Sequence, residues 1–113
     1  MLAKSQRLAR DRDFKKIFEQ GESYYSKLLG VKAINNQRVL NRYGIIISAK
    51  VSKKAVERNR LKRQISQILK RLDKSLASGF DLAVVVLPAM LEQEGKAVKN
   101  ELEKVLKKLK LFR

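Results

Sequence analysis

The sequence predicts an α/β (α+β) fold, a small sheet covered by helices, on three observations. Two short β-branched runs, Tyr43–Ser48 and Asp81–Leu87, have the length and composition of buried strands. Two longer segments, about Ala55–Leu72 and about Glu94–Leu111, repeat apolar residues at steps of three and four, the period of an amphipathic helix. Both kinds of pattern fit within 113 residues, a length that suits one domain, 1–113, with a modest core.

At the start of the chain, Asp11 or Asp13 is placed to cap a first helix, with Phe14, Ile17 and Phe18 on one side and Gly21 ending it. The segment Tyr24–Ile34 is rich in aromatic and branched residues and predicts a strand, in which the adjacent Tyr24 and Tyr25 face opposite ways. The polar Asn35–Arg42 reads as a turn or loop, and Tyr43–Ser48 as a central strand. In the second helix, Leu61, Ile65, Ile68 and Leu72 form one stripe with Leu69 beside it. Gly79 ends the connection that follows. The near-continuous apolar run Asp81–Leu87, bounded by Gly79 and Pro88, predicts a strand covered on both faces. Val98, Leu102, Val105, Leu109 and Phe112 mark the last helix. The order is helix, strand, strand, helix, strand, helix, with a sheet of three or four strands.

Charge dominates the composition. Lysine and arginine number 27 against 11 acids, so the formal charge is +16. A surface so charged repels itself unless it meets an anion, which makes nucleic acid the first expected partner and an anionic membrane the second. Histidine and cysteine are both absent, which removes the commonest general base and the thiol nucleophile. The acids are scattered, with no HExxH motif, P-loop or close acid pair. No catalytic residue is therefore expected, and any cleavage would belong to a partner. The N-terminus has no apolar segment of a signal peptide, and the run Leu82–Leu91 is interrupted by Pro88 and too short to span a bilayer. A cytoplasmic location is expected.

The charge is concentrated at the start of the second helix. From Lys50 to Arg63, seven bases face one acid, Glu57. At about 100° per residue, with Leu61 central in the buried stripe, Arg58 and Lys62 fall on one flank and Arg60 on the other. Asn59 and Arg63 point outward. A merely solvated face usually mixes both signs, and this one does not. Arginines can grip phosphates bidentately. Asn59 has both donor and acceptor, so it could read a base edge, hold a hydrated ion or support its neighbours. The last helix, where Lys96, Lys99, Lys104, Lys107, Lys108 and Lys110 are partly balanced by Glu94, Glu101 and Glu103, reads as an ordinary solvated face. Phe14 and Phe18, one turn apart, suit core packing, with a base-stacking rim as the alternative, worth about 1–3 kcal/mol per base.

Two motifs resemble a known family. The segment Gly44–Arg63, "GIIISAKVSKKAVERNRLKR", is similar to the signature of the protein subunit of bacterial ribonuclease P: a Gly-led strand, a basic turn and an R-N-R-x-K-R helix start. Upstream, Arg7, Leu8, Asp13, Phe14, Ile17, Phe18 and Gly21 match the family's opening pattern. The resemblance implies a two-layer α/β sandwich with a small mixed sheet and a left-handed strand–helix–strand crossover, against the right-handed rule. It implies removal of the 5′ leader from precursor tRNA by a magnesium-dependent RNA subunit, with Mg2+ serving that RNA and no cofactor held by the protein. Lys50, Lys53, Lys54, Arg58, Asn59, Arg60, Lys62 and Arg63 would face the catalytic RNA, while Phe14, Phe18 and Lys32 would belong to the leader cleft. No metal ligands are assigned to the chain.

Three departures stand out. Where the family commonly has two lysines after the second strand, this chain has Ala49 and Lys50. Where it often continues with an Arg-Glu pair, this chain has Ser66 and Gln67, which implies a less charged turn on the RNA-facing ridge. Lys32 stands near a position where the cleft sometimes carries an aromatic. Read without the resemblance, the residues also suit a ribosomal-type RNA-binding protein, then a DNA-binding protein, then a membrane-surface protein.

Overall fold

A computed structural model describes residues 2–113. Its elements are helix α1 (Asp11–Gln20), strands β1 (Glu22–Tyr25), β2 (Leu29–Asn35) and β3 (Arg42–Ile46), helix α2 (Ala55–Leu72), strand β4 (Phe80–Val86) and helix α3 (Gly95–Lys108). Short 3-10 turns sit at Lys4–Gln6, Asp73–Ser75 and Pro88–Glu92. The sheet order is β1-β2-β4-β3. β2 runs antiparallel to both β1 and β4, while β3 and β4 are parallel, so α2 is the crossover between neighbouring parallel strands. The sheet is mixed, in an α+β arrangement with three α-helices.

Two local expectations are corrected. The segment Tyr24–Ile34 is not one strand but a hairpin. Ser26 reverses the chain: its amide donates to the Leu29 carbonyl (2.8 Å), and its hydroxyl accepts from the amides of Leu28 (3.3 Å) and Leu29 (3.4 Å). A hydroxyl that satisfies turn amides this way competes with a continuing strand. Nor does Asp11 or Asp13 cap α1. Arg10 occupies the cap position with no side-chain bond, and both acids lie within the first turn, where the helix dipole still favours them.

The pairing register divides side chains between the two faces. Val31, Leu82 and Val84 point toward α2 and α3, joining Leu61, Ile65, Ile68 and Leu69 of α2 and Val98, Leu102, Val105 and Leu106 of α3 in the main core. On the opposite face, Ala83 meets Leu8 and Ile17, with Phe14, Ile34 and Ile46 packed around them. Sheet and helices thus form the expected two layers on the α2/α3 side, and α1 adds a partial third. Leu82, Ala83 and Val84 are all buried, so β4 is covered on both faces as its apolar run predicts. Gly79 precedes it at φ +86°, a left-handed conformation that favours glycine. No helix among the described residues is long and apolar enough to cross a membrane.

Two polar clusters pin the ends of this sandwich. The buried Asp81 accepts from Arg42 through Nε (2.9 Å) and Nη2 (2.7 Å), and from Asn36 Nδ2 (2.8 Å). Arg42 Nη1 also lies 3.6 Å from Asp13, which ties α1 to β3. The hydrogen bond to Asp81 raises the Arg42 pKa above its usual value, so the guanidinium stays charged. Below the main core, the Tyr43 hydroxyl donates to Asp73 Oδ1, and Asn41 Nδ2 donates to the Ala77 carbonyl (2.9 Å). Burial, and then the bond to Asp73, push the Tyr43 phenol well above its ordinary pKa.

Two predictions follow from these clusters. Arg42→Ala leaves Asp81 buried and unpaired, and should lower unfolding stability in urea by roughly 3–5 kcal/mol. A loss near zero would mean that water replaces the guanidinium. The raised Tyr43 pKa means that the unfolded chain releases the phenolic proton first. Stability from this group is therefore full below the ordinary phenol value of about 10 and falls as pH rises beyond it. A wild-type melt should decline there more steeply than that of Tyr43→Phe; parallel declines would remove Tyr43 as the cause.

Candidate nucleic-acid interface

The interface starts from a loop built around one serine. Ser52, buried just before α2, donates its hydroxyl to Glu57 Oε1 (2.6 Å) and accepts the Lys54 amide (3.1 Å). Its carbonyl accepts from Arg58 Nη1 (2.7 Å). These bonds fix the entry into α2 although Lys54, at the cap position, makes no side-chain cap bond. Glu57, the one acid in the basic stretch, is therefore engaged internally.

Around that anchor the bases are displayed outward. Lys50, Lys53 and Lys54 are exposed on the loop, and Asn59, Arg60, Lys62 and Arg63 are exposed on α2. Among the described residues none of these seven forms an ion pair with an acid. Arg58 differs: it is half-buried and holds the Ser52 carbonyl, so one arginine of the R-N-R run has a structural bond. Arg60 and Arg63 also line a groove of about 630 Å³ with Gln64, Gln67 and the first turn of α3 at Gly95. The ridge continues toward the end of α2 with exposed Lys70 and Arg71, and with Lys74 beyond it.

Ser66 corrects one expectation about this ridge. It lies at 6% exposure against the N-terminal segment, so it is not part of the outward face. The helical angle alone does not reveal this, because Leu2 and Arg7 come from elsewhere in the chain to cover that flank. Gln67 is exposed and remains an uncharged position on the ridge.

The second surface lies on the α1 face of the sheet. Register puts Ser23, Lys32, Ala83 and Gly44 in one row across this face and Tyr25, Gly30, Val85 and Ile46 in the next. Phe14 packs over Gly44, where an added Cβ would come within 2.4 Å of its ring. Phe18 is 40% exposed, and Lys32 Nζ sits 5.1 Å from its ring centroid in a cation–π contact. Phe14, half-buried, packs against the small cluster with one side open, and Phe18 stands at an open rim. Tyr25, 44% exposed, lies over Gly30, where a Cβ would strike its ring at 2.3 Å. Sequence reasoning separated Tyr24 from Tyr25 by strand parity but did not place Tyr25 on the same sheet face as Lys32, one row away. That needs the hairpin and its register.

A basic helix ridge without acidic partners among the described residues, with exposed aromatic rings on the sheet face, marks an α+β protein of the nucleic-acid-binding class. A family model described as Ribonuclease P matches residues 2–110, and the chain belongs to that family. It is similar to the ribonuclease P protein component of a Cyanothece species, with 36% identity covering 99% of this chain and 98% of the relative. The ribonuclease P protein component of Clostridium botulinum Loch Maree is 30% identical, over 96% of this chain and 98% of its own. Among solved structures, the Staphylococcus aureus RNase P protein superposes with a TM-score of 0.90 at 30% identity, covering 97% of this chain and 100% of that one. The Thermotoga maritima protein gives 0.82 at 30% identity, over 90% and 96%. The protein is a subunit of ribonuclease P, in the RNA-binding machinery of tRNA processing.

The geometry separates the arginines by role. Arg58→Ala should lower stability by about 1 kcal/mol through loss of its bond to Ser52. Arg60→Ala and Arg63→Ala should each stay within about 0.5 kcal/mol of wild type in the same unfolding experiment. Equal losses at all three positions would contradict this division.

Proposed function

We propose that the chain, as one ribonuclease P protein domain, supports 5′-leader removal from precursor tRNA in the cytoplasm. In this reading the catalytic RNA performs the hydrolysis with Mg2+, and the protein binds that RNA along α2. The leader lies in the cleft on the α1 face, against Phe14, Phe18 and Lys32. The observation that carries the reading is the unpaired basic ridge. Lys50, Lys53, Lys54, Asn59, Arg60, Lys62 and Arg63 project from one loop and one helix, and among the described residues no acid is paired with any of them.

The physical logic is electrostatic. A phosphate backbone brings its own condensed counterions, and lysines and arginines that replace them release those ions to solution. Arginine forks add directional grip at particular phosphates. The exposed ring of Phe18 suits an unpaired strand, because every base offers a stacking face whatever its sequence. The absence of histidine and cysteine from the chain supports leaving the chemistry to the RNA.

Reconstitution tests the proposal. Added to a ribonuclease P RNA and a precursor tRNA at low magnesium, the protein should stimulate leader release over RNA alone; no stimulation would overturn the reading. Affinity for the RNA should fall with salt at a log–log slope of roughly −0.7 to −0.9 per neutralised phosphate. Arg60→Ala and Arg63→Ala should weaken binding and flatten that slope while the thermal melt stays put. A salt-independent affinity would sink the electrostatic model.

A further inference from the structure

A cavity of about 300 Å³ lies at the outer edge of β3, between the N-terminal segment, α1 and α2. Its wall includes Arg7, Phe14, Gly44, Lys62 and Ser66, and among the described residues no acidic one. It therefore touches both surfaces described above, through Phe14 of the cleft and Lys62 of the ridge. Arg7 and Ser66 belong to neither.

Ser66 is the informative residue. Its side chain is more than nine-tenths buried, yet its hydroxyl makes no hydrogen bond among the described residues. Ser66 lines the cavity, and no fully buried side-chain nitrogen or oxygen among the described residues lacks a partner. A hydroxyl sealed from both water and partners is unfavourable, and an open cavity relieves that cost.

Two cations accompany it. Lys62 precedes Ser66 by one helical turn on the same flank of α2. Arg7 is anchored on one side, where its Nε donates to the Leu2 carbonyl (3.1 Å), and its terminal nitrogens have no acceptor among the described residues. The wall thus offers a guanidinium, an ammonium and a hydroxyl with no carboxylate to oppose an anion. The Phe14 ring adds an apolar face beside these donors. The volume is at the lower end of the roughly 300–1,000 Å³ of small-ligand sites, which suits one nucleotide and excludes a duplex.

We propose that this cavity is a phosphate subsite that holds one nucleotide of a single RNA strand between the α1-face cleft and the α2 ridge. The proposal rests on the RNA-binding reading above and goes further by placing a contact on Arg7 and Ser66. The strand approaches along the sheet face, turns over the β3 edge with one phosphate on Arg7, Lys62 and Ser66, and reaches the ridge.

The test uses the full chain, nitrogen-15 labelled, titrated separately with a short single-stranded RNA and with inorganic phosphate. The RNA should shift the signals of Arg7, Lys62 and Ser66 at lower concentration than phosphate does. Ser66→Leu, which fills the cavity, and Arg7→Gln should each weaken the short strand about tenfold, the loss of one charge-assisted hydrogen bond. Ser66→Ala, which barely changes packing, decides the matter if the leucine variant melts early; it should weaken binding in the same direction. Unchanged affinity in Ser66→Ala and Arg7→Gln overturns the subsite, as does phosphate binding as tightly as RNA. Wild-type binding to ribonuclease P RNA is measured in parallel. Its loss would overturn the RNA-binding reading itself, whereas its persistence beside unaffected short-strand binding removes only the subsite.

Discussion

Strand β4 is buried on both faces, and the remaining elements are arranged to keep it so. It pairs with β2 on one side and β3 on the other, one antiparallel and one parallel. A parallel neighbour requires a crossover, which is α2, and that helix must return across one face with its apolar stripe inward. The opposite face is then left to α1, whose Ile17 meets Ala83. Because α2 spends one stripe on the core, its other side is available for charge. The basic ridge is a consequence of how β4 is covered.

The same economy governs the few acids. Asp81 and Asp13 hold Arg42, Asp73 holds the Tyr43 hydroxyl, and Glu57 holds Ser52. Acids that might have neutralised the surface are thus engaged in joining elements to each other. The other ion pairs among the described residues, Lys15–Glu19 and Lys99–Glu103, join neighbours one turn apart on α1 and α3. They leave the loop and ridge from Lys50 to Arg63 unscreened by any carboxylate bridge. Repulsion there raises the energy of the free protein and is relieved by a polyanion. Stability and binding are in this sense linked through the placement of four carboxylates.

The two surfaces are built from different materials. The ridge is long, flexible side chains on a rigid helix, suited to phosphates at variable positions. The sheet face is rings held by backbone: Phe14 over Gly44 and Tyr25 over Gly30. Rings so held lose little freedom on binding, which favours stacking with an unpaired strand. The cavity at the β3 edge lies where these two materials meet.

The sequence by itself determined the class of fold, the double covering of β4, the stripes of α2 and α3 and the sign of the partner's charge. These depend on periodicity and composition, which are local. The paired motifs Arg58–Arg63 and Asp13–Phe14 were legible for the same reason, as fixed residues at fixed spacing. The sequence did not reveal the hairpin at Ser26, because a serine turn looks like a strand interior until its hydroxyl is seen to take the Leu28 and Leu29 amides. Nor did it reveal the internal bond of Arg58, the covering of Ser66 or the placing of Tyr25 on the sheet face that carries Lys32. Each of these depends on residues distant along the chain or on strand register, and only tertiary packing decides which side chains share a surface.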